Sequence, residues 1–160
     1  MSPPGEQHGI FAFRVAFSLG NHVAPNNLGQ VYIGEPGFKL AANPDTVRAP
    51  DIAFVSRERL DKLTPSTGYR PEAPDLVIEI IPLGSRCART SPSDRYIEVE
   101  EKVFEWLDAG TLMVLVVNPR KRTVSVYRSR HDIHVLIEED TIDGGDVVPS
   151  WTLPVAELFA

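Results

Sequence analysis

The chain has 160 residues, of which 42% are apolar and 24% charged, and a formal net charge of −6. That length is ordinary for one domain and buries a core without disulfides or structural metals, while the composition excludes a disordered chain and no run of about twenty apolar residues is present to span a membrane. The single cysteine, Cys87, excludes an internal disulfide and a multi-thiolate zinc site, and with no basic, apolar leader it fits a cytoplasmic protein; the negative balance argues against one that coats nucleic acid through bulk electrostatics.

After a proline- and glycine-bearing lead-in, the segment from about His8 to Val23 carries Ile10, Phe11, Phe13, Val15, Phe17 and Leu19. Apolar on more than one face, it reads as a largely buried helix. Gln30–Ile33 and Phe38–Leu40 read as two short strands joined through Gly34-Glu35-Pro36-Gly37 into a hairpin. Loop chemistry at Asn43-Pro44-Asp45 leads to a strand over Asp51–Val55, introduced by Pro50, which has no donor for a ladder to miss.

Asp75–Ile81 is apolar at every position except Asp75 and Glu79, the pattern of a central strand covered on both faces. Pro82–Pro92 reads as an exposed loop. An amphipathic helix then runs from a cap at Ser93 or Asp94 to about Ala109, with Val99, Val103, Trp106 and Leu107 as its buried stripe and Gly110 as its stop. Leu112–Val117 is a second central strand; Thr123–Arg128 and Ile133–Glu138 alternate like one-sided strands, and Leu153–Phe159 closes the chain as a docked helical turn. The order implies an α/β (α+β) fold, one domain over residues 1–160, with a mixed sheet and helices packed on it.

Glu79 is the most informative residue, because a lone carboxylate among Ile and Val needs a metal, a cation or a hydrogen-bond donor. Strand alternation sets Asp75 on its face, and if the strand from Asp51 is its neighbour, Asp51 brings another carboxylate to the same edge. Carboxylates on adjacent rigid strands suit Mg²⁺ or Mn²⁺, which keep waters and take phosphate oxygens as their remaining ligands. Lys102, on the following helix one turn after Glu98, is the nearby ammonium. Each residue also has a structural reading: Asp51 and Asp75 as strand terminators after proline, Glu98 and Lys102 as a helix pair four residues apart, and Glu79 on the solvent side of a one-sided strand.

Five cations, Arg120, Lys121, Arg122, Arg128 and Arg130, fall between Pro119 and Arg130 without an acid, a local basic patch in an acidic chain. His131 and His134 lack partners for a metal and read as a solvent-facing pair, and the aspartates around Gly144-Gly145 read as a hairpin turn, since a calcium loop needs twelve-residue spacing and a terminal Glu.

Several phrases in order, Glu6-Gln7-His8-Gly9, Gly37-Phe38-Lys39-Leu40, Thr46 to Val55 with its Ala49-Pro50-Asp51-Ile52, Ala73-Pro74-Asp75 through Ile80, Ser91-Pro92-Ser93-Asp94 with Glu98 to Lys102, Asn118-Pro119 to Tyr127, and Leu153 to Phe159, carry a likeness over nearly the whole chain. The chain resembles the Uma-type restriction-endonuclease-like proteins, bacterial members of the PD-(D/E)XK nuclease superfamily. The resemblance implies a restriction-endonuclease-like central mixed sheet flanked by helices and divalent-metal-dependent hydrolysis of DNA phosphodiesters. Asp51 would be the metal-binding acid of the PD half-motif and Glu79 the second acid. Ile81 stands where a lysine normally follows, so that role passes to Lys102, with Asp75 or Glu98 in support. Arg48, Arg86 and Arg89 are candidate phosphate contacts, the last two in Pro82–Thr90, which looks inserted relative to the family. An N-terminal family segment is expected to be missing. A homodimer is implied by the likeness alone, and the rival reading is a catalytically inactive nucleic-acid-binding or regulatory module on the same fold.

Overall fold

The computed structural model describes residues 5–34, 36–41, 44–63, 68–83 and 92–160, and for 92–95 the backbone alone. The expected Pro82–Thr90 loop from residue 84 on, with Arg86, Cys87 and Arg89, lies outside the described residues, as do the side chains of the expected cap at Ser93 or Asp94.

Six strands form the central sheet: β1 (Gly29–Ile33), β4 (Ile52–Ser56), β5 (Leu76–Ile80), β6 (Met113–Asn118), β7 (Thr123–Tyr127) and β8 (Ile133–Leu136), side by side in that order. Among these pairs only β5 and β6 run parallel, and they are joined by the helix α3 (Pro92–Asp108); the other neighbours are antiparallel. A parallel pair needs such a crossover, which is why an amphipathic helix separates the two most apolar strands.

Alternation along the strands supplies two cores. Ile52, Phe54, Leu76, Ile78, Met113, Leu115 and Val117 face α1 (Glu6–Val23) and the C-terminal elements β9 (Thr141–Asp143), β10 (Thr152–Pro154) and α4 (Val155–Leu158). Ala53, Val55, Val77, Val114 and Val116 face α3 and β2 (Phe38–Ala41), with Trp106 and Phe38 packed edge to face at 6.2 Å.

Three expectations change. Gln30–Ile33 and Phe38–Leu40 do not form a hairpin: β1 pairs with β4, and β2 with the unforeseen β3 (Thr46–Arg48). Tyr32 and Phe38 pack on the α3 side of the sheet, but only β1 finds an open ladder edge there. A short helix α2 (Arg57–Asp61), capped by the Ser56 hydroxyl accepting from Arg59 N–H, follows β4 in the stretch before Asp75 that Pro65, Gly68 and Pro71 mark as a loop in the sequence. Finally, α1 buries the stripe Val15, Leu19 and Val23, while Phe13 and Phe17 are 66% and 58% exposed and stack on each other at 5.5 Å. The helix covers one face of the sheet, and no described element lies over its far side.

Candidate active site

The sheet register assembles the site. Ile52 is opposite Ile78, so one residue further on Asp51 and Glu79 meet across β4 and β5, side chains on the α3 face. Asp51 sits just before β4, half-buried, and its Oδ2 accepts the Ile80 backbone N–H at 2.8 Å. The same oxygen lies 3.3 Å from His8 Nε2 at the start of α1. Two groups of the protein thus hold one carboxylate oxygen, Oδ2.

Glu79 is 9% exposed and accepts a hydrogen bond from the indole Nε1–H of Trp106 at 3.2 Å. Burial pushes its carboxyl up to about 7, and the charge of Asp51 pushes the same way; Lys102, the Trp106 bond and the Asp51 backbone oppose. The same field acts on His8, whose imidazole is pulled up by its hydrogen bond to Asp51, with burial opposing and the charges of Asp51 and Glu79 adding. Lys102 is exposed on α3 and acts on Glu79 through its charge.

The other candidates fall elsewhere. Asp75 is buried at the opposite end of β5, four residues from Glu79, where Oδ2 accepts from Ser56 N–H at 2.7 Å and Oδ1 lies 3.1 Å from Arg59 Nε. Its face was legible, but its distance along the strand, roughly 13 Å, separates it from the site. Glu98 is exposed on α3. Arg48 spends its guanidinium on Glu105 of α3, Nε to Oε2 at 2.7 Å and Nη2 to Oε1 at 3.2 Å, which locks β3 to the helix. His8 was missed as a site residue: a histidine at a helix start carries no signal by itself, and only the docking of α1 brings it to Asp51.

The residues present fit a hard divalent ion. Two carboxylates meet across adjacent strands, and Glu79 is buried with no cation in contact among the described residues, so a divalent ion held by the pair would offset the burial and the Asp51 charge that raise Glu79. Among the described residues no cluster of three or more His, Cys, Asp or Glu is placed to hold a metal ion.

The family model of Uma2, described as "Putative restriction endonuclease", matches residues 1–156. The chain belongs to the Uma2 family. A solved structure titled a "putative nuclease belonging to DUF820" from Anabaena variabilis matches with a TM-score of 0.78 over 99% of this chain and 83% of that one, at 21% identity. At that identity the likeness establishes the shared fold, the six-stranded mixed sheet flanked by helices. No protein of curated function matches the sequence. No helix of the described residues is long and apolar enough to cross a membrane.

Proposed function

We propose that this Uma2 protein is a divalent-metal-dependent endonuclease that hydrolyses DNA phosphodiester bonds at the Asp51–Glu79 pair. The observation that carries the reading is the buried Glu79, set opposite Asp51 by the β4–β5 register, with burial and the Asp51 charge raising its carboxyl to about 7. A carboxylate in that state is poised between proton and cation.

Asp51 and Glu79 would hold Mg²⁺ or Mn²⁺. When bound, such an ion lowers the pKa of a water ligand and offsets charge on the scissile phosphate. The chain supplies the rest. The Ile80 N–H and His8 fix the rotamer of Asp51, and Trp106 fixes Glu79. Lys102 orients the attacking water and the phosphate through its charge. His8 is a positioning residue in this scheme, acting through Asp51. Hydrolysis forms a bond from water oxygen to phosphorus, breaks the bond to one ester oxygen, and moves one proton from the water to the leaving oxygen through solvent or a neighbouring base.

The test is cleavage of supercoiled plasmid and of single-stranded DNA with Mg²⁺ or Mn²⁺, alongside Asp51→Ala and Glu79→Gln. Metal-dependent nicking by the native protein that both variants lose supports the reading. A native protein that binds DNA but never cleaves it would instead favour the inactive binding module.

A further inference from the structure

The basic run from Arg120 to Arg130 divides into two groups once folded. Arg122 pairs with Glu138, Arg128 with Asp146 and Arg130 with Asp108. Arg120 and Lys121 are exposed and have no carboxylate partner among the described residues. Both lie in the turn between β6 and β7. Because β6 runs parallel to β5, with Glu79 opposite Val116 and Ile80 opposite Val117, this turn leaves the sheet at the end that carries Asp51 and Glu79. Strand spacing and rise put it roughly 10–15 Å from Glu79.

The turn is firmly held. Asn118 Oδ1 accepts the Lys121 backbone N–H at 3.1 Å. Arg122 occupies the left-handed region at φ 54°, an uncommon conformation for a residue with a side chain, and its contacts offset the cost. Those contacts are Glu138, the Phe159 carbonyl at 3.1 Å and the Phe159 ring, 5.4 Å below the guanidinium. Arg122 is therefore the anchor, and its two predecessors are the residues the anchored turn presents. In a chain of net charge −6, paired cations contribute little field, whereas two adjacent unpaired ones make a local point of attraction for a polyanion.

We infer that Arg120 and Lys121 form a phosphate clamp that holds the nucleic-acid backbone a few nucleotides from the phosphodiester at the Asp51–Glu79 pair. The inference deepens the nuclease reading and rests on it for the identity of the ligand. The contacts are to phosphate oxygens, so the clamp adds affinity and register without sequence preference.

The experiment is equilibrium binding of a short labelled DNA duplex in EDTA across ~50–200 mM salt, for native protein, Arg120→Gln/Lys121→Gln and the control Arg128→Gln, all with matched melting temperatures. The double variant is expected to bind about tenfold more weakly at the low-salt end and to lose about two from the slope of log K against log salt, one per phosphate contact. The control should match the native protein. Unchanged affinity and slope in the double variant overturn the clamp, as does a native protein that binds no DNA. The two readings fail separately: binding that depends on the clamp without any metal-dependent cleavage keeps the clamp and removes hydrolysis, and cleavage with clamp-independent binding does the reverse.

Discussion

With its carboxyl buried beside Asp51, Glu79 ionises near pH 7 rather than near 4.5, so ionisation in the folded state opposes folding. A pKa raised by folding contributes stability in full below the unfolded value and loses it as pH rises through the folded one. Metal-free protein is therefore expected to lose stability between pH ~4.5 and just above 7, by ~3 kcal/mol in all. Glu79→Gln should flatten that range. His8, also raised, adds a loss of the same sign above about 6.5 that the variant retains. Urea midpoints against pH for both proteins provide the check, and identical profiles would mean that Glu79 is not the buried acid described. Mn²⁺ should act in the opposite sense, because it competes with the proton on Glu79: the rise in melting temperature it produces is expected to grow from pH 5.5 to 8 and to vanish in Asp51→Ala. Arg48 shows how residue type can mislead. An arginine before the PD-like Asp looks like a phosphate ligand, yet its two-bond pairing with Glu105 fastens β3 to α3. Arg48→Ala should cost about 0.5–1 kcal/mol by denaturant melts and leave the salt slope of DNA binding unchanged.

The two ends of β5 carry opposite duties. At the C-terminal end no cation among the described residues contacts Glu79; at the N-terminal end Asp75 is met by Ser56 N–H and by Arg59, whose Nη1 also donates to the Ala73 carbonyl at 2.7 Å. Asp75 thereby ties α2 to the sheet. Replacing it with Ala strands the Arg59 charge and is expected to cost about 2–3 kcal/mol, less than a fully buried pair because Arg59 is partly solvated. Cleavage per folded molecule should not change, and a specific loss of turnover at equal stability would return Asp75 to the site. Along the β1 edge, Gly29 lies against β4 so closely that a Cβ would sit 2.1 Å from the Val55 carbonyl oxygen. Gly29→Ala should part β1 from β4 and lower the melting temperature by several degrees, read by thermal denaturation. These elements also show why the hairpin expected over 30–40 was misassigned. Periodicity and turn residues report that two strands exist, but pairing is decided by which edge the rest of the sheet leaves open, and here that edge belongs to β4.

Across the whole molecule, the pairing of Arg122, Arg128 and Arg130 with acids leaves Arg120 and Lys121 in the β6–β7 turn without a carboxylate partner among the described residues, which is where the proposed clamp would meet the nucleic-acid backbone. The fold class, the two central strands, the amphipathic α3 and the carboxylate of Glu79 inside its apolar strand were legible in the sequence, because each is written in local pattern: uninterrupted apolar runs for strands covered on both faces, a charged residue inside such a run, and a 3.6-residue stripe between them. Ordered motifs also carried the family. What the linear pattern does not contain is distance and direction between segments. Only the tertiary structure set His8 against Asp51, gave Trp106 to Glu79, took Arg48 away to Glu105, sent Asp75 to the far end of its strand, and distinguished Arg120 and Lys121 from the arginines that follow them. Burial and hydrogen-bond geometry arise from packing between distant parts of the chain, so a carboxylate inside an apolar strand could be read from that strand while the company it keeps could not.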